Sequence, residues 1–86
     1  MARPHENLEA WRLSISLVTT IYAATRSFPK EELFGLTEQM RRAAVSVPSN
    51  IAEGAARSSR KEFGQFLSVA KGSLSELETS CSFLPN

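Results

Sequence analysis

Apolar residues recur at intervals of three and four along the first third of the chain. One stripe between Asn7 and Ser27 consists of Leu8, Trp11, Ile15, Val18, Tyr22 and Thr25. This spacing predicts an amphipathic helix over about residues 7–27. A second stripe lies beside the first and consists of Leu17, Ile21, Ala24 and Phe28. Because the two stripes form one wide apolar face, we expect this helix to contact more than one neighbouring helix.

The segment "PKEELFGL" connects the first helix to the second. Pro29 ends the first helix, because a proline lacks the backbone N–H and biases the residue before it away from the helical region. We expect one short helical turn here, closed by Gly35 in the left-handed conformation. Thr37 is then a suitable N-cap, so the second helix is predicted over about residues 38–56.

Small side chains dominate the second helix. Its apolar seam consists of Met40, Ala43 or Ala44, Val47, Ile51 and Gly54. Pro48 frees the carbonyl of Ala44, which predicts a kink. Asn50 is expected to satisfy that carbonyl or to bond to a neighbouring helix; the alternative is an ordinary kinked helix with Asn50 in water. The pattern favours a close helix crossing, and its candidate crossing or interface residues are Ser46, Pro48, Asn50, Glu53 and Gly54.

The stretch "SRKE" at residues 59–62 has the pattern of a capping box. Ser59 is expected to accept from the Glu62 amide, while the Glu62 side chain reaches back to the Ser59 backbone. Apolar residues then repeat at helical spacing, namely Phe63, Phe66, Leu67, Ala70, Leu74, Leu77, Cys81 and Leu84. They predict a third helix over about residues 60–83. We therefore expect one all-α domain, an up-down helical bundle over residues 1–86.

The length of 86 residues and the 42% hydrophobic content allow only one small core. A chain of this size usually depends on disulfides, a metal or a partner surface. Cys81 is the only cysteine and His5 the only histidine, which excludes an internal disulfide and disfavours a structural zinc site. Assembly with other chains is the remaining option. No apolar run is long enough to span a membrane, so we expect a cytoplasmic protein without membrane contact.

No pattern of a catalytic site occurs in the sequence. Serines lack the nucleophile-elbow context, no Glu-x-x-His pair suggests a di-iron site, and no glycine-rich loop suggests a phosphate-binding turn. Cys81 falls on the apolar face of the third helix, where we expect a packed thiol rather than a nucleophile. The sequence therefore predicts no enzymatic activity, no catalytic residues, no metal and no cofactor.

Basic residues on the second helix and at its junction with the third are the remaining functional candidates. They are Arg41, Arg42, Arg57, Arg60 and Lys61. The last three lie at a helix end and the next helix start, where side chains and free N–H groups can hold phosphate. The alternative is a solvated cluster in which Glu53 pairs with Arg57 one turn away. No aromatic residue stands among these charges in the sequence, so phosphate contacts are expected to dominate any binding of RNA or DNA.

The stretch "LTEQMRRAAVSVPSNIAEGAARSSRKEFGQFLSVAKGSLSELE" at residues 36–78 closely resembles the four-helix-bundle proteins encoded in intervening sequences of bacterial 23S ribosomal RNA genes. The segments "FPKEELFG" and "LEAWRLSISLV" fit the same family. The resemblance implies an antiparallel bundle that assembles into a ring-like homopentamer, with no enzymatic activity and no settled function. The family is also similar to the accessory variability determinant proteins of diversity-generating retroelements, which bind nucleic acid and a reverse transcriptase.

The chain departs from this family at its end, "TSCSFLPN". Family members continue the third helix and return with a fourth, so we expect either a truncated copy or a fourth helix from elsewhere, and an apolar groove where that helix is missing. Two functional hypotheses follow. The first is an oligomeric module associated with nucleic acid. The second is a scaffold that binds a protein partner and does not bind nucleic acid.

Overall fold

The computed structural model describes residues 4–85, with side chains from residue 7 onward. Three helices make up the fold: α1 (Pro4–Thr25), α2 (Lys30–Ala55) and α3 (Arg60–Cys81). The described residues contain no strand, which confirms the all-α prediction. Within the same residues, no helix is both long enough and apolar enough to cross a membrane.

The second helix begins eight residues earlier than predicted. Lys30 is its first residue, and Gly35 and Thr37 both lie inside it, so the predicted break between a short turn and a second N-cap is wrong. No residue of the described chain has a positive φ, so Gly35 is not in the left-handed conformation. The helix continues because Glu31 and Glu32 favour its first turn, and one interior glycine costs only about 1 kcal/mol.

The outer bounds of the other two helices differ from the predictions by only two or three residues. Helix α1 covers Pro4–Thr25 instead of about 7–27, and α3 ends at Cys81 instead of about 83. The Ser59 cap is confirmed, because the Glu62 N–H donates to Ser59 Oγ over 3.1 Å. The Glu62 carboxylate, however, accepts from the Ser59 hydroxyl over 3.1 Å instead of returning to the backbone.

Helix α2 lies in the middle of the molecule and packs against both other helices. Connections of four residues on each side, 26–29 and 56–59, reverse the chain, so neighbouring helices run antiparallel. Within the described residues, no Cα atom of α1 comes within 8 Å of one in α3. The result is an elongated bundle 45 Å long and 19 by 17 Å across.

The core follows the predicted seam of α2. Met40 and Ala44 are almost completely buried, and Ile21 of α1 and Leu77 of α3 pack against this part of the seam. The whole seam is buried, which confirms that part of the prediction: Met40, Ala43, Ala44, Val47, Ile51 and Gly54. Helix α2 continues through the buried Pro48, and the kink there stays a prediction.

Helix α1 turns most of its second stripe towards the core, although Ala24 is exposed, and leaves most of its first stripe exposed. Leu17, Ile21 and Phe28 pack against the core cluster, and Thr25 is buried beside them. Four residues of the first stripe remain between 37 and 47% exposed: Leu8, Trp11, Ile15 and Tyr22. We call these four residues the α1 apolar stripe.

An apolar groove lies between α1 and α3. Leu17 and Ile21 form one wall, and Leu74 and Leu77 form the other. Cys81 lines the same groove and is exposed, so the prediction of a packed thiol is wrong. The thiol is exposed because, in the described chain, no helix covers this face of α3.

Candidate functional site

A cleft rich in basic and aromatic side chains lies where α1 turns into α2. Its lining consists of Tyr22, Thr25, Arg26, Phe28, Lys30, Phe34, Thr37, Glu38, Arg41 and Arg42. Four of these residues are cations and one is an anion, so the lining carries a formal charge of +3. We call this feature the turn cleft. Its charge favours an anionic ligand, and its rings add flat apolar surface.

Arg41 is held in place at the wall of the turn cleft. Its Nε donates to Thr25 Oγ1 over 2.8 Å, and its Nη2 donates to the Tyr22 carbonyl over 3.4 Å. The guanidinium carbon lies 4.5 Å from the centre of the Tyr22 ring, within the range of a cation–π contact. Thr25 is in turn fixed by donating its hydroxyl to the Ile21 carbonyl over 2.7 Å. Arg41 is therefore a preorganised cation.

Arg42 is freer than Arg41. Its side chain is 79% exposed, and its contact with Glu38 one turn away is a loose one of 3.8 Å. A pair of this kind on a helix surface contributes only about 0.3–0.5 kcal/mol. Arg42 can therefore exchange Glu38 for an anionic ligand at little cost in free energy.

The other three basic candidates lie near the opposite end of α2. Arg57 pairs with Glu53 over 2.9 Å, so the predicted pair forms, although Arg57 lies two residues beyond the end of α2. Arg60 and Lys61 are exposed in the first turn of α3. Arg57 follows Arg41 by sixteen positions, almost all of them helical, which is roughly 24 Å along the axis. The five candidates therefore form two groups and not one cluster.

The expectation that no aromatic side chain accompanies these charges is wrong. Arg57 lies 4.9 Å from the centre of the Phe66 ring, and Arg41 stacks on Tyr22. Phe28 and Phe34 share the turn cleft with Arg41 and Arg42. Tyr22 and Phe28 are separated from Arg41 by the turn at Pro29, and Phe66 follows Arg57 only after the next turn. Phe34 lies two helical turns before Arg41 in α2, but the predicted break at Gly35 hid that spacing.

The crossing of α2 and α3 contains a chain of polar contacts. The Asn50 Nδ2 donates to the Ser46 carbonyl over 2.8 Å and to Ser46 Oγ over 3.0 Å. Ser73 of α3 donates its hydroxyl to the same Ser46 Oγ over 2.8 Å. Asn50 thus bonds to Ser46 and not to the carbonyl of Ala44, and its link to α3 passes through Ser46.

Gly54 lies at a close approach of the same two helices. A Cβ atom placed on it would lie 2.9 Å from Phe66 Cβ and 3.0 Å from Phe63 Cδ1. Both distances are shorter than ordinary carbon contacts, so any larger residue would push the helices apart. Of the other candidate crossing residues, Pro48 is buried in α2 and Glu53 is exposed and paired with Arg57.

The residues that the structure describes hold no group of three or more His, Cys, Asp or Glu side chains that could bind a metal ion. The side chain of His5 lies outside the described residues. The sequence predicted only Arg41 and Arg42 among the residues of the turn cleft, and its other basic and aromatic residues were missed: Tyr22, Arg26, Phe28, Lys30 and Phe34. The signal that could have revealed them is the turn at Pro29, which places the end of one helix beside the start of the next.

Comparison with protein families gives one match that covers nearly the whole chain. The family model is described as 23S rRNA-intervening sequence protein, and it matches residues 6–85. No curated protein matches the sequence significantly. The matched residues contain the turn cleft, the α2–α3 crossing and the distant basic group.

Proposed function

Because the chain belongs to the 23S rRNA-intervening sequence protein family, we propose that it is a non-enzymatic, self-associating helical module that binds the phosphates of nucleic acid. The family consists of small helical proteins of unclear function and is not a known enzyme family. Membership alone therefore does not identify a partner. The proposal therefore rests on the basic and apolar surfaces of this chain.

The observation that carries the proposal is the placement of the basic side chains. The cations of the turn cleft and of the α2–α3 junction lie outside the core, at two separated places along the bundle. Among the described residues, the salt bridges are those of Arg42 and Arg57, each with a glutamate four residues earlier in the chain. Two separate basic groups suit a long polyanion better than one small ligand.

Self-association strengthens this arrangement. The α1 apolar stripe and the groove between α1 and α3 leave apolar surface that a second copy can cover. We favour a homopentamer, as the family resemblance implies. Weak phosphate contacts repeated on several subunits add to a useful affinity, because one polyanion engages many sites at once. The exposed thiol of Cys81 suits the reducing cytoplasm.

The test measures the binding of labelled RNA and DNA to the purified chain by fluorescence anisotropy at increasing salt. We expect the affinity to fall by an order of magnitude or more between about 50 and 200 mM salt, because each phosphate contact releases bound counterions. The variant Arg57→Ala/Arg60→Ala/Lys61→Ala should bind more weakly and with a shallower salt slope. Failure of the parent to bind either nucleic acid at low salt would contradict the proposal.

A matched pair of variants separates a local effect from loss of net charge. Arg60→Gln/Lys61→Gln and Arg12→Gln/Lys71→Gln each remove two exposed cations, and only the first pair lies at the α2–α3 junction. We expect Arg60→Gln/Lys61→Gln to lose more affinity for nucleic acid than Arg12→Gln/Lys71→Gln. Light scattering on each variant checks that the assembly is unchanged.

The second candidate function is a scaffold for a protein partner. The α1 apolar stripe favours it, because four large side chains on one face are typical of a protein contact. If the parent assembles but retains no nucleic acid at low salt, the scaffold becomes the better proposal.

A further inference from the structure

The turn cleft combines two features, of which a site for phosphate alone needs only the first. It has an excess of cations, and it exposes aromatic surface next to them. Phe34 is 62% exposed, although a phenylalanine on a helix usually turns towards a core. Phe34 therefore contributes little to the stability of the bundle, and its position beside basic residues needs another explanation.

We propose that the turn cleft binds an unpaired nucleotide, with the base against the Phe34 ring and the phosphate on the surrounding cations. This inference rests on the proposed function and adds to it a preference for single strands. Bases stacked inside a duplex present no free face, whereas every unpaired base has one. A site that uses a ring as well as charge therefore distinguishes single strands from duplexes.

The cations of the cleft suit the phosphate part of this ligand. Arg41 is fixed by Thr25 and Tyr22, so little side-chain entropy is lost when it meets an anion. Arg26 and Lys30 stand on either side of the turn, where α1 ends and α2 begins. The only carboxylate in the lining is Glu38, which faces Arg42.

The chemistry of the cleft favours a nucleotide over an acidic peptide. A peptide carboxylate would use the cations and leave Phe34 in water. A nucleotide uses both, because its base and its phosphate are joined at a short distance. An acidic peptide remains an outcome of the test, and polyglutamate is the probe for it.

The decisive variant is Phe34→Leu, which keeps an apolar side chain of similar reach but removes the aromatic ring. We expect it to weaken the binding of a labelled oligothymidylate by about fivefold or more, because base–aromatic stacking is lost. Binding of a labelled duplex of the same length should change less than twofold. The duplex measurement is the internal control, and Phe34 is exposed enough for the variant to fold.

A second comparison tests the cations of the cleft. It measures single-strand binding by Arg26→Gln/Lys30→Gln and by the control Arg12→Gln/Lys71→Gln, which removes two cations outside the cleft. The first pair should weaken single-strand binding several-fold, and the control pair less than twofold. Circular dichroism and light scattering confirm that each variant keeps the parent's helicity and mass.

Three results would overturn the assignment. If Phe34→Leu binds oligothymidylate like the parent while Arg60→Gln/Lys61→Gln binds weakly, the proposed function stands and the nucleotide site in the turn cleft fails. If polyglutamate displaces the labelled strand at the same charge concentration as unlabelled oligothymidylate, the cleft is a general anion site. If the parent binds no nucleic acid at low salt, the proposed function itself fails.

Discussion

At the scale of single residues, Gly54 is the glycine with the least room for a side chain. Gly54→Ala should destabilise the protein by about 1–3 kcal/mol, because the new methyl group would meet Phe66 Cβ at 2.9 Å. Phe66 Cβ is attached to the backbone and cannot swing away. Urea unfolding at fixed protein concentration measures the effect.

Gly64→Ala is the matched control for this substitution. Gly64 also lies in a helix, and a Cβ placed on it meets no atom within 4 Å. Gly64→Ala should raise the stability by about 0.5–1 kcal/mol, since alanine is the better helix former. Equal effects at the two glycines would show that the α2–α3 contact does not limit the size of residue 54.

The polar contacts at the crossing give a second prediction at this scale. Ser73→Ala should cost about 0.5–1.5 kcal/mol, because it removes the hydroxyl that links α3 to Ser46. Asn50→Ala should cost a similar amount, since Asn50 donates to Ser46 twice. The control is Ser49→Ala, whose exposed hydroxyl donates only to the Val45 carbonyl of its own helix.

A double-mutant cycle between residues 46 and 73 isolates their contact. The combined variant Ser46→Ala/Ser73→Ala should cost less than the sum of the single changes, because both remove the same hydrogen bond. Strict additivity would mean that the two hydroxyls contribute independently and do not set the register of the helices.

At the scale of elements, the continuity of α2 through Gly35 is open to a direct test. Gly35→Ala should stabilise the protein by about 0.5–1 kcal/mol, because Gly35 lies within the helix and a Cβ there meets no atom within 4 Å. If Gly35 closed a short turn in the left-handed conformation, alanine would destabilise instead. Thermal unfolding followed by circular dichroism distinguishes the two signs.

The sequence was sufficient to predict three helices and the buried seam of α2. The seam was predictable because Met40, Val47 and Ile51 recur at helical spacing, with small residues around them. The start of α2 was not, since Gly35 and Thr37 are equally compatible with a break and with an interior position. That choice depends on whether Leu36 finds a core to pack against, and the structure shows that it does.

The functional residues were predictable only in part. Arg41 and Arg42 stand out in the sequence as adjacent charges, but the hydrogen bond from Arg41 to Thr25 joins residues of two helices. Phe34 looks like a core residue in the sequence, because apolar character predicts burial on average. Its exposure follows from the face of α2 on which it lies, and the linear pattern does not fix which face meets a neighbour.

At the scale of the whole molecule, the α1 apolar stripe predicts the surface of self-association. The parent should be larger than a monomer by light scattering at micromolar concentration. Leu8→Gln/Ile15→Gln should lower that mass, because it places polar groups on the surface that another copy would cover. Glutamine keeps the helix propensity close to that of the original residues.

Val45→Gln/Val69→Gln is the matched control, since it changes two exposed apolar residues on α2 and α3. We expect its mass to equal that of the parent. If Val45→Gln/Val69→Gln dissociates while Leu8→Gln/Ile15→Gln keeps the parent's mass, the contact surface lies on α2 and α3 instead of α1. A monomeric parent would contradict self-association altogether.

The separation between α1 and α3 also determines which helix unfolds first. In the described chain no Cα atom of α1 comes within 8 Å of one in α3, whereas the α2–α3 hairpin has its own buried cluster of Val47, Ile51 and Ala70. Local unfolding can therefore release α1 while the hairpin persists, and α1 amides should exchange hydrogen with solvent before those of α2. A released α1 that docks on the α2 of another copy would be a domain swap, which joins chains through a contact that each already uses within itself.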